Sequence, residues 1–459
     1  MRIREQYKHL LNFTANIVTL IVDAVLFGLV WYNYYASWEM DNGFVSEYFR
    51  RGNWAVIGMY ILIIFFFTKV FGGYRIGYMR VTDIILSNML ALVLGHIVAF
   101  LELCLICRDY VNPIPLINIA VIEAAFIVLW NIMVRKAYQM LYPPRQMILV
   151  YGQYAPDDLI AKINTRKDKY NICGTVSCTV GLNRLYQIID EYKAVVLCDL
   201  PAEVRNDIMK HCYEEGIRTY VTPKITDIML RGADDIHLFD TPLYLSRNNG
   251  LSIDQRFFKR AMDIVISLIG IVLASPFMLI IAIAIKLYDG GPVFYKQERL
   301  TRGQKPFMII KFRSMTTKSE DKGARLCAKD DARVTPVGNI IRNIHFDELP
   351  QLFNILKGDM SFVGPRPERQ VIADQYMDQI PEFAFRTKVK AGLTGYAQVW
   401  GKYNTTPYDK LKMDITYIEN YSIWLDIKLI LLTIKILFIK ENTEGVDETQ
   451  VTALKKHDI

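Results

Sequence analysis

Cysteine is sparse in this chain, with seven in 459 residues, scattered as Cys104, Cys107, Cys173, Cys178, Cys198, Cys212 and Cys327. Cys104 and Cys107 form one CxxC at the end of an apolar run. Neither a second pair nor histidines at zinc spacing accompany it, so a structural zinc site is not expected and the cysteines read as buried thiols in a reducing compartment. There is also no Lys/Arg block interleaved with aromatics, and so no nucleic-acid partner is expected. The N-terminus MRIREQYKHLLNF is basic, but the long apolar run behind it lacks a small-residue cleavage site. It reads as an uncleaved first membrane helix rather than a signal peptide.

Apolar length is abundant instead. Hydrophobic residues make up 52% of the chain, an excess concentrated in a few long runs that point to a membrane protein. Four runs occupy the first third, about Leu11 to Tyr35, Trp54 to Phe71, Ile84 to Ile106 and Pro115 to Val134. Each approaches the roughly 20 residues a helix needs to cross the hydrocarbon core. Basic residues flank them in alternation: Arg2, Arg4 and Lys8, then Lys69, Arg75 and Arg80, then Arg135, Lys136 and Arg145. Those three regions are expected in the cytoplasm and the acidic loop Glu39 to Glu47 outside. Asp23 and His96 lie within the spans and are expected to form helix-to-helix hydrogen bonds. The net charge of +7 suits contact with anionic headgroups or phosphorylated substrates.

From Arg145 the pattern changes to short β-rich runs, Gln146 to Tyr151, Cys173 to Val180, Ala194 to Leu197 and Thr219 to Val221, separated by helical stretches such as Asp157 to Thr165 and Ala202 to Glu215. This spacing predicts a Rossmann-like α/β domain over residues 144–250, after a four-helix transmembrane region over 1–143. A dinucleotide is not expected, because Gly152-Gln153-Tyr154-Ala155-Pro156-Asp157 keeps one of the three glycines of G-x-G-x-x-G.

The last domain, 251–459, opens on the apolar run Ala261 to Leu287. A fifth span is one reading. Ser275-Pro276 at its middle and basic residues at both ends (Arg256, Lys259 and Arg260 before; Lys286, Lys296, Arg299 and Arg302 after) favour a re-entrant helix that enters and leaves on one face. The arm Ala261 to Ala274 would be only about 21 Å long, short of the roughly 30 Å core. Near the C-terminus, Trp424 to Lys440 carries Lys428 and Lys435 on one face and reads as an amphipathic interfacial helix. A polar tail follows.

Between these helices the charge chemistry gathers in Arg342 to Arg366, RNIHFDELPQLFNILKGDMSFVGPR. An adjacent Asp347-Glu348 pair stands between two arginines, an arrangement suited to gripping a phosphate diester while an acid reacts with it. Around it run Pro292 to Arg299 (PVFYKQER), Lys311 to Met315 (KFRSM), Ser361 to Glu368 (SFVGPRPE) and Lys390 to Gly395 (KAGLTG). On these five ordered motifs the chain resembles the bacterial polyprenyl-phosphate sugar-1-phosphate transferases of the monotopic phosphoglycosyl transferase superfamily. In architecture it is similar to their large members, with four transmembrane helices and a Rossmann-like domain ahead of a mostly α-helical catalytic domain.

That resemblance implies transfer of a sugar-1-phosphate from a UDP-sugar, with glucose or galactose foremost, to polyprenyl (undecaprenyl) phosphate, with release of UMP. It implies Asp347 as the nucleophile that carries a covalent phosphosugar, and Glu348 as an assistant handling the proton of the lipid phosphate. Mg²⁺ is expected at Asp347 and the substrate diphosphate. Arg342 and Arg366 are expected to grip phosphate, with Arg313, Lys311 and Asp414 as further substrate contacts and Ser275 and Pro276 as the membrane turn. The resemblance implies a multi-pass protein of the bacterial cytoplasmic membrane with its catalytic domain inside, and it admits a homodimer. His345 is read as a packing residue, and Lys390-Ala391-Gly392, in place of Lys-Pro-Gly, as a loosened turn. An inactive scaffold or nucleotide sensor is the alternative, against which the intact dyad and arginines stand.

Overall fold

The computed structural model describes residues 2–36, 51–152, 156–246, 250–316, 333–401 and 405–437. The expected acidic loop at 39–47, Cys327, residues 153–155 of the glycine-poor loop, 402–404, the end of the amphipathic run at 438–440 and the C-terminal tail lie outside the described residues. The chain forms two compact units, Met1–Thr222 and Pro223–Ile459.

In the first unit the four apolar runs are four helices, α1 (Arg2–Val30), α2 (Arg51–Phe71), α3 (Val81–Cys107) and α4 (Ile114–Leu141). Large side chains fill their interior: Phe27 stacks on Tyr60 at 4.0 Å between ring centroids, and Trp31, Leu103 and Ile119 are buried with them. The Tyr60 hydroxyl donates to Glu123 at 2.9 Å, and His96 Nε2 stands 3.3 Å from the same carboxylate. The expected helix-to-helix hydrogen bonds are not formed: among the described residues His96 Nε2 and the buried Asp23 Oδ1 have no hydrogen-bond partner, and His96 Nδ1 lies 2.9 Å from the Leu92 carbonyl oxygen of its own helix. Glu123 was hidden in the sequence as one acid in an apolar run.

The rest of the unit is β1 (Arg145–Tyr151), α5 (Asp157–Asn164), β2 (Tyr170–Ser177), α6 (Leu182–Asp190), β3 (Ala194–Cys198), α7 (Ala202–Glu214) and β4 (Arg218–Val221). The strands form a parallel sheet in the order β2-β1-β3-β4. Both faces are buried, Ile148, Val150, Val195 and Leu197 on one and Met147, Leu149, Ala194 and Val196 on the other, so the strands read as continuous apolar runs. Gly152 has a local purpose: a Cβ there would lie 2.1 Å from the Asp199 carbonyl oxygen. The glycine lets the ends of β1 and β3 meet closely. Of the cysteines, Cys107 and Cys212 are buried as expected, but Cys173 is exposed.

The second unit begins earlier than the expected boundary at 250/251. Helix α8 (Ile225–Arg231) buries Ile225 and Ile228 against Tyr376, Phe383, Leu411 and Ile415 of the C-terminal part. A hairpin, β5 (Asp234–Leu238) and β6 (Thr241–Leu245), leads to α9 (Ile253–Asp289), a single helix with Pro276 inside it. A capping box starts α9: Gln255 N donates to Ser252 Oγ at 3.4 Å and Ser252 N to Gln255 Oε1 at 3.0 Å. One side of α9 is apolar and exposed, with Val265, Leu268, Val272, Leu279, Ile283 and Leu287. The other side lies on the domain both before and after Pro276. Asp263 accepts from Ser361 Oγ at 3.0 Å and Phe362 N at 2.9 Å, while Ile281 and Ile285 are buried with Phe312 and Ile341.

Beyond α9 come β7 (Phe294–Leu300), β8 (Pro306–Phe312), α10 (Pro336–Asn343), α11 (Gln351–Lys357), β9 (Ser361–Val363), α12 (Gln370–Gln379), β10 (Gly392–Thr394), α13 (Tyr396–Trp400), α14 (Pro407–Glu419) and α15 (Ile423–Leu437). Helix α15 is the stretch expected as an amphipathic interfacial helix, and part of its polar face packs inward. Asp426 and Lys435 are buried, and Asp426 takes Lys259 of α9 at 2.6 Å and the Tyr417 hydroxyl of α14 at 2.8 Å. A carboxylate so enclosed is held there by its partners, while Trp424 stays exposed.

Candidate active site

Helix α10 sets the position of the acid pair. Thr335 caps it, its Oγ1 accepting from Gly338 N at 2.9 Å, and Pro336 occupies the first turn. A Cβ on Gly338 would lie 2.0 Å from the Ser314 carbonyl oxygen, so this glycine seats the helix directly on the KFRSM strand end. After Asn343 the chain reverses at His345, a non-glycine residue in left-handed backbone (φ 59°). The next residues, Phe346–Glu348, form a single 3₁₀ turn. His345 is exposed, not packed as expected, and its Nδ1 lies 2.9 Å from the Arg342 carbonyl oxygen. The turn thus presents Asp347 and Glu348 consecutively at a surface.

Glu348 Oε1 takes two cations from distant parts of the chain, Lys311 Nζ of β8 at 2.6 Å and Arg366 Nη2 at 2.9 Å. Burial alone would raise the Glu348 carboxyl, but Arg366 and Lys311 outweigh it and hold the group well below the usual carboxylate range. So held, Glu348 is a poor proton acceptor at neutral pH. It serves to gather the two cations. Asp347 is the contrasting neighbour: among the described residues its carboxylate takes no hydrogen bond and no ion pair. Burial raises its carboxyl above the ordinary range, with the Glu348 charge adding to the rise and Lys311 and Arg342 opposing it. One acid is clamped and the other is left available.

The Gly364-Pro365-Arg366 turn is aimed by a clasp between two loops. Gly364 N donates to the Thr394 carbonyl at 2.8 Å and Gly392 N to the Pro365 carbonyl at 2.9 Å. Cβ atoms on Gly392 or Gly395 would lie 2.1 Å from Gly364 N or O; the motif's glycines are there so the backbones can touch. The Ala391 amide donates to Thr301 Oγ1 at 3.2 Å, a bond proline could not make. The turn expected to be loosened is tied by a different contact. Below the clasp, Arg386 Nη2 donates to the Arg366 carbonyl at 3.0 Å, and Arg386 pairs with Asp414 at 2.9 Å and Glu368 at 3.4 Å.

Of the expected site residues, Asp347, Glu348, Lys311 and Arg366 come together, with Arg342 on the turn that precedes them. Asp414 does not join them. It is buried beneath the loop as the counterion of Arg386, and burial, exceeding the pull of Arg386, pushes it up to about 6. Arg313 is likewise engaged elsewhere, buried and ion-paired to Asp289 at the end of α9. Arg386 escaped the sequence reading because nothing in its local pattern marks it. A small, partly open pocket lined by Arg366, Leu300, Thr301, Pro365 and Pro367 among others measures about 30 Å³. That is room for a water, not for a nucleotide; the Arg366 side chain is itself 52% exposed. Among the described residues no group of three or more His, Cys, Asp and Glu could hold a metal by itself. An uncommitted carboxylate does fit Mg²⁺, which completes its shell with phosphate oxygens and water.

Comparison with known proteins places residues 254–440 in a match to the bacterial sugar transferase family. The chain is 46% identical over 182 residues to a UDP-N-acetylgalactosamine-undecaprenyl-phosphate N-acetylgalactosaminephosphotransferase of Aeromonas hydrophila, covering 39% of this chain and 43% of that protein. It is 40% identical over 210 residues to a UDP-glucose:undecaprenyl-phosphate glucose-1-phosphate transferase of Escherichia coli, covering 45% and 44%. A protein of the same name from Caulobacter vibrioides is 40% identical over 197 residues, 42% of this chain and 73% of that one. The matched part thus spans less than half of the Aeromonas and Escherichia proteins.

Proposed function

This chain belongs to the bacterial sugar transferase family, the polyprenyl-phosphate sugar-1-phosphate transferases, and from that premise we propose that it moves a sugar-1-phosphate from a UDP-sugar to undecaprenyl phosphate. The observation that carries the proposal is the asymmetry of the dyad, with Glu348 clamped by Lys311 and Arg366 and Asp347 uncommitted beside it. An Asp347 carboxylate oxygen bonds to the phosphorus next to the sugar, the bond from that phosphorus to the bridging oxygen breaks, and UMP departs. An oxygen of the lipid phosphate then attacks the same phosphorus. The Asp347 carboxylate is released and a sugar diphosphate is left on the lipid. Lys311, Arg366 and Arg342 neutralise the phosphoryl oxygens as charge spreads over them. Asp347 would hold Mg²⁺, which would supply further charge neutralisation at the substrate diphosphate.

The lipid phosphate stays in the bilayer, so the site must stand at headgroup depth. Five helices of the chain are long and apolar enough to cross a membrane, α9 among them. A re-entrant α9 turning at Ser275-Pro276 is supported by its contacts, since the domain that carries the dyad lies against it on both sides of Pro276. Phe277, next to the turn, stands 6.0 Å from Phe346, the residue before Asp347. The other four helices are taken as true spans, with the catalytic domain on the cytoplasmic face of the inner membrane, where UDP-sugars are found. Cysteines introduced at Arg256 and Arg302 should then be labelled from the same side.

The sugar is proposed to be a hexose of the UDP-glucose or UDP-galactose kind, and a panel including UDP-N-acetylgalactosamine tests both sugar and activity. UMP should appear with one sugar when undecaprenyl phosphate and Mg²⁺ are present. No UMP with any sugar, from protein that is folded and in lipid, overturns the reading.

A further inference from the structure

Helix α14 brings to the Arg366 loop a lysine that no ion pair occupies. Thr406 caps the helix, its Oγ1 accepting from Asp409 N at 3.1 Å, and Pro407 stands in the first turn. Lys410 and Asp414 then lie one turn apart on the same face. That face is turned to the loop, because Asp414 meets Arg386 at 2.9 Å and Arg386 donates to the Arg366 carbonyl at 3.0 Å. Lys410 is partly buried, yet among the described residues its ammonium makes no hydrogen bond and has no carboxylate within ion-pair distance. The two acids that act on its charge, Glu368 and Asp414, are both engaged by Arg386. Burial, joined by Arg386 and Arg366, lowers the ammonium against the pull of those acids. A second cation beside the loop is met by neutral acceptors alone: Arg299 of β7 donates to Gln297 Oε1 at 2.7 and 3.1 Å and to the Pro367 carbonyl at 3.2 Å. Arg366 acts on the charge of both Arg299 and Lys410. Like charges gathered in this way are completed by an anion.

The place of Lys410 on its helix selects the anion. Leu411, the next residue, is buried with Ile225 and Ile228 of α8. Tyr417, about two turns on and so roughly 10 Å along the axis, accepts from Lys259 of the membrane helix α9 at 3.0 Å. Lys410 therefore stands at the end of α14 remote from that contact, which suits a water-soluble phosphate better than one anchored in the bilayer. Arg366 has Lys311 as a neighbour through Glu348 and Lys410 as a neighbour through the loop. A diphosphate has two groups to place, and this arrangement offers a cation to each.

We propose that Lys410, with Arg366, holds the phosphate on the nucleoside side of the UDP-sugar, the one that departs in UMP, while Lys311 stays with the phosphate attacked by Asp347. The proposal rests on the transferase reading and adds to it a seat for the leaving group. That phosphate gains negative charge as the bridging bond breaks, and Lys410 meets the charge.

The test offers UMP and uridine to the full chain in lipid and measures binding by calorimetry, without turnover. Lys410→Gln should lose about tenfold for UMP, the equivalent of about 1.4 kcal/mol, and nothing for uridine, and Lys410→Arg should keep most of the affinity. In turnover, Lys410→Gln should raise KM for the UDP-sugar by a similar factor and leave KM for undecaprenyl phosphate unchanged. Its Tm should be unchanged or higher, since a partly buried cation without a partner has been removed. UMP bound equally by wild type and Lys410→Gln, or a lower Tm with UMP binding intact, would overturn the proposal and make the lysine structural. A raised KM for undecaprenyl phosphate alone would also overturn it, by moving Lys410 to the lipid. The two readings fail separately: a wild type that releases no UMP from any UDP-sugar sinks the transferase reading, whereas the calorimetry reports on Lys410 itself.

Discussion

Replacing Asp414 with alanine separates the structural account of this residue from the substrate contact expected by resemblance. Asp414 is 1% exposed and pairs with Arg386, itself 5% exposed, at 2.9 Å. Removing one partner of a buried pair costs about 3–5 kcal/mol because the other charge is stranded. Arg386 would keep Glu368 and the Arg366 carbonyl, so the lower end, about 3 kcal/mol, applies. For a unit of this size that is a fall in Tm of roughly 6–12 °C, taking about 2–4 °C per kcal/mol. The assay is thermal unfolding in detergent alongside KM for the UDP-sugar, which should change less than kcat as the Arg366 loop loosens. Acidity adds a second readout. The folded carboxyl titrates at about 6 and the unfolded one near ~3.9, so the folded state holds the proton more tightly. Its contribution to stability therefore rises as pH falls from about 6 towards 4. Asp414→Asn should remove that slope. An unchanged Tm with a tenfold higher KM would refute the reasoning and restore Asp414 to the substrate.

Other perturbations bear on the rest of the domain. Glu348→Gln removes the negative charge shared by Lys311 and Arg366; with Arg366 half exposed, the loss should be about 2 kcal/mol, read by thermal melting. The neighbouring negative charge also disappears, so the acid limb of the single-turnover rate, set by ionisation of Asp347, should move to lower pH in Glu348→Gln; an unmoved limb would contradict the coupling. Because the Glu348 carboxyl is held low in the folded state, its own stabilisation is present above the unfolded value near ~4.3 and is lost as pH falls below it. Gly338→Ala should separate α10 from Ser314 at a cost of about 2 kcal/mol, with kcat falling because the dyad turn moves. Lys259→Met should destabilise by about 3–5 kcal/mol by stranding Asp426, and the double variant Lys259→Met with Asp426→Leu should recover most of it; a double variant no better than the single would mean the pair is not a unit.

How much of this could be read from the chain alone depends on the range of the interaction. The four N-terminal helices and the parallel sheet follow from apolar periodicity, which is local. The five charged motifs marked the dyad and its arginines. Pairing across long separations was invisible: Lys259 of α9 meets Asp426 of α15 across 167 residues, and Lys435 of the same helix is buried as well. Arg313 and Asp414 looked like substrate contacts because their motifs are charged, and only the fold shows Asp289 and Arg386 already holding them. The glycines of GPR and GLTG were visible as letters, but the reason for them, backbone against backbone, appears only when the two loops meet. His345 took the left-handed turn that lets Asp347 and Glu348 face outward, and no local pattern signals it.

The central claim is that Asp347 carries the phosphosugar. Full-length protein in lipid without undecaprenyl phosphate, mixed with its UDP-sugar and Mg²⁺ and quenched in acid, should release at most one UMP per chain. By peptide mass spectrometry, sugar-1-phosphate should appear on the peptide containing Asp347, and Asp347→Asn should show neither. Undiminished UMP release from Asp347→Asn, or turnover in the wild type with the mass on another residue, would contradict the account.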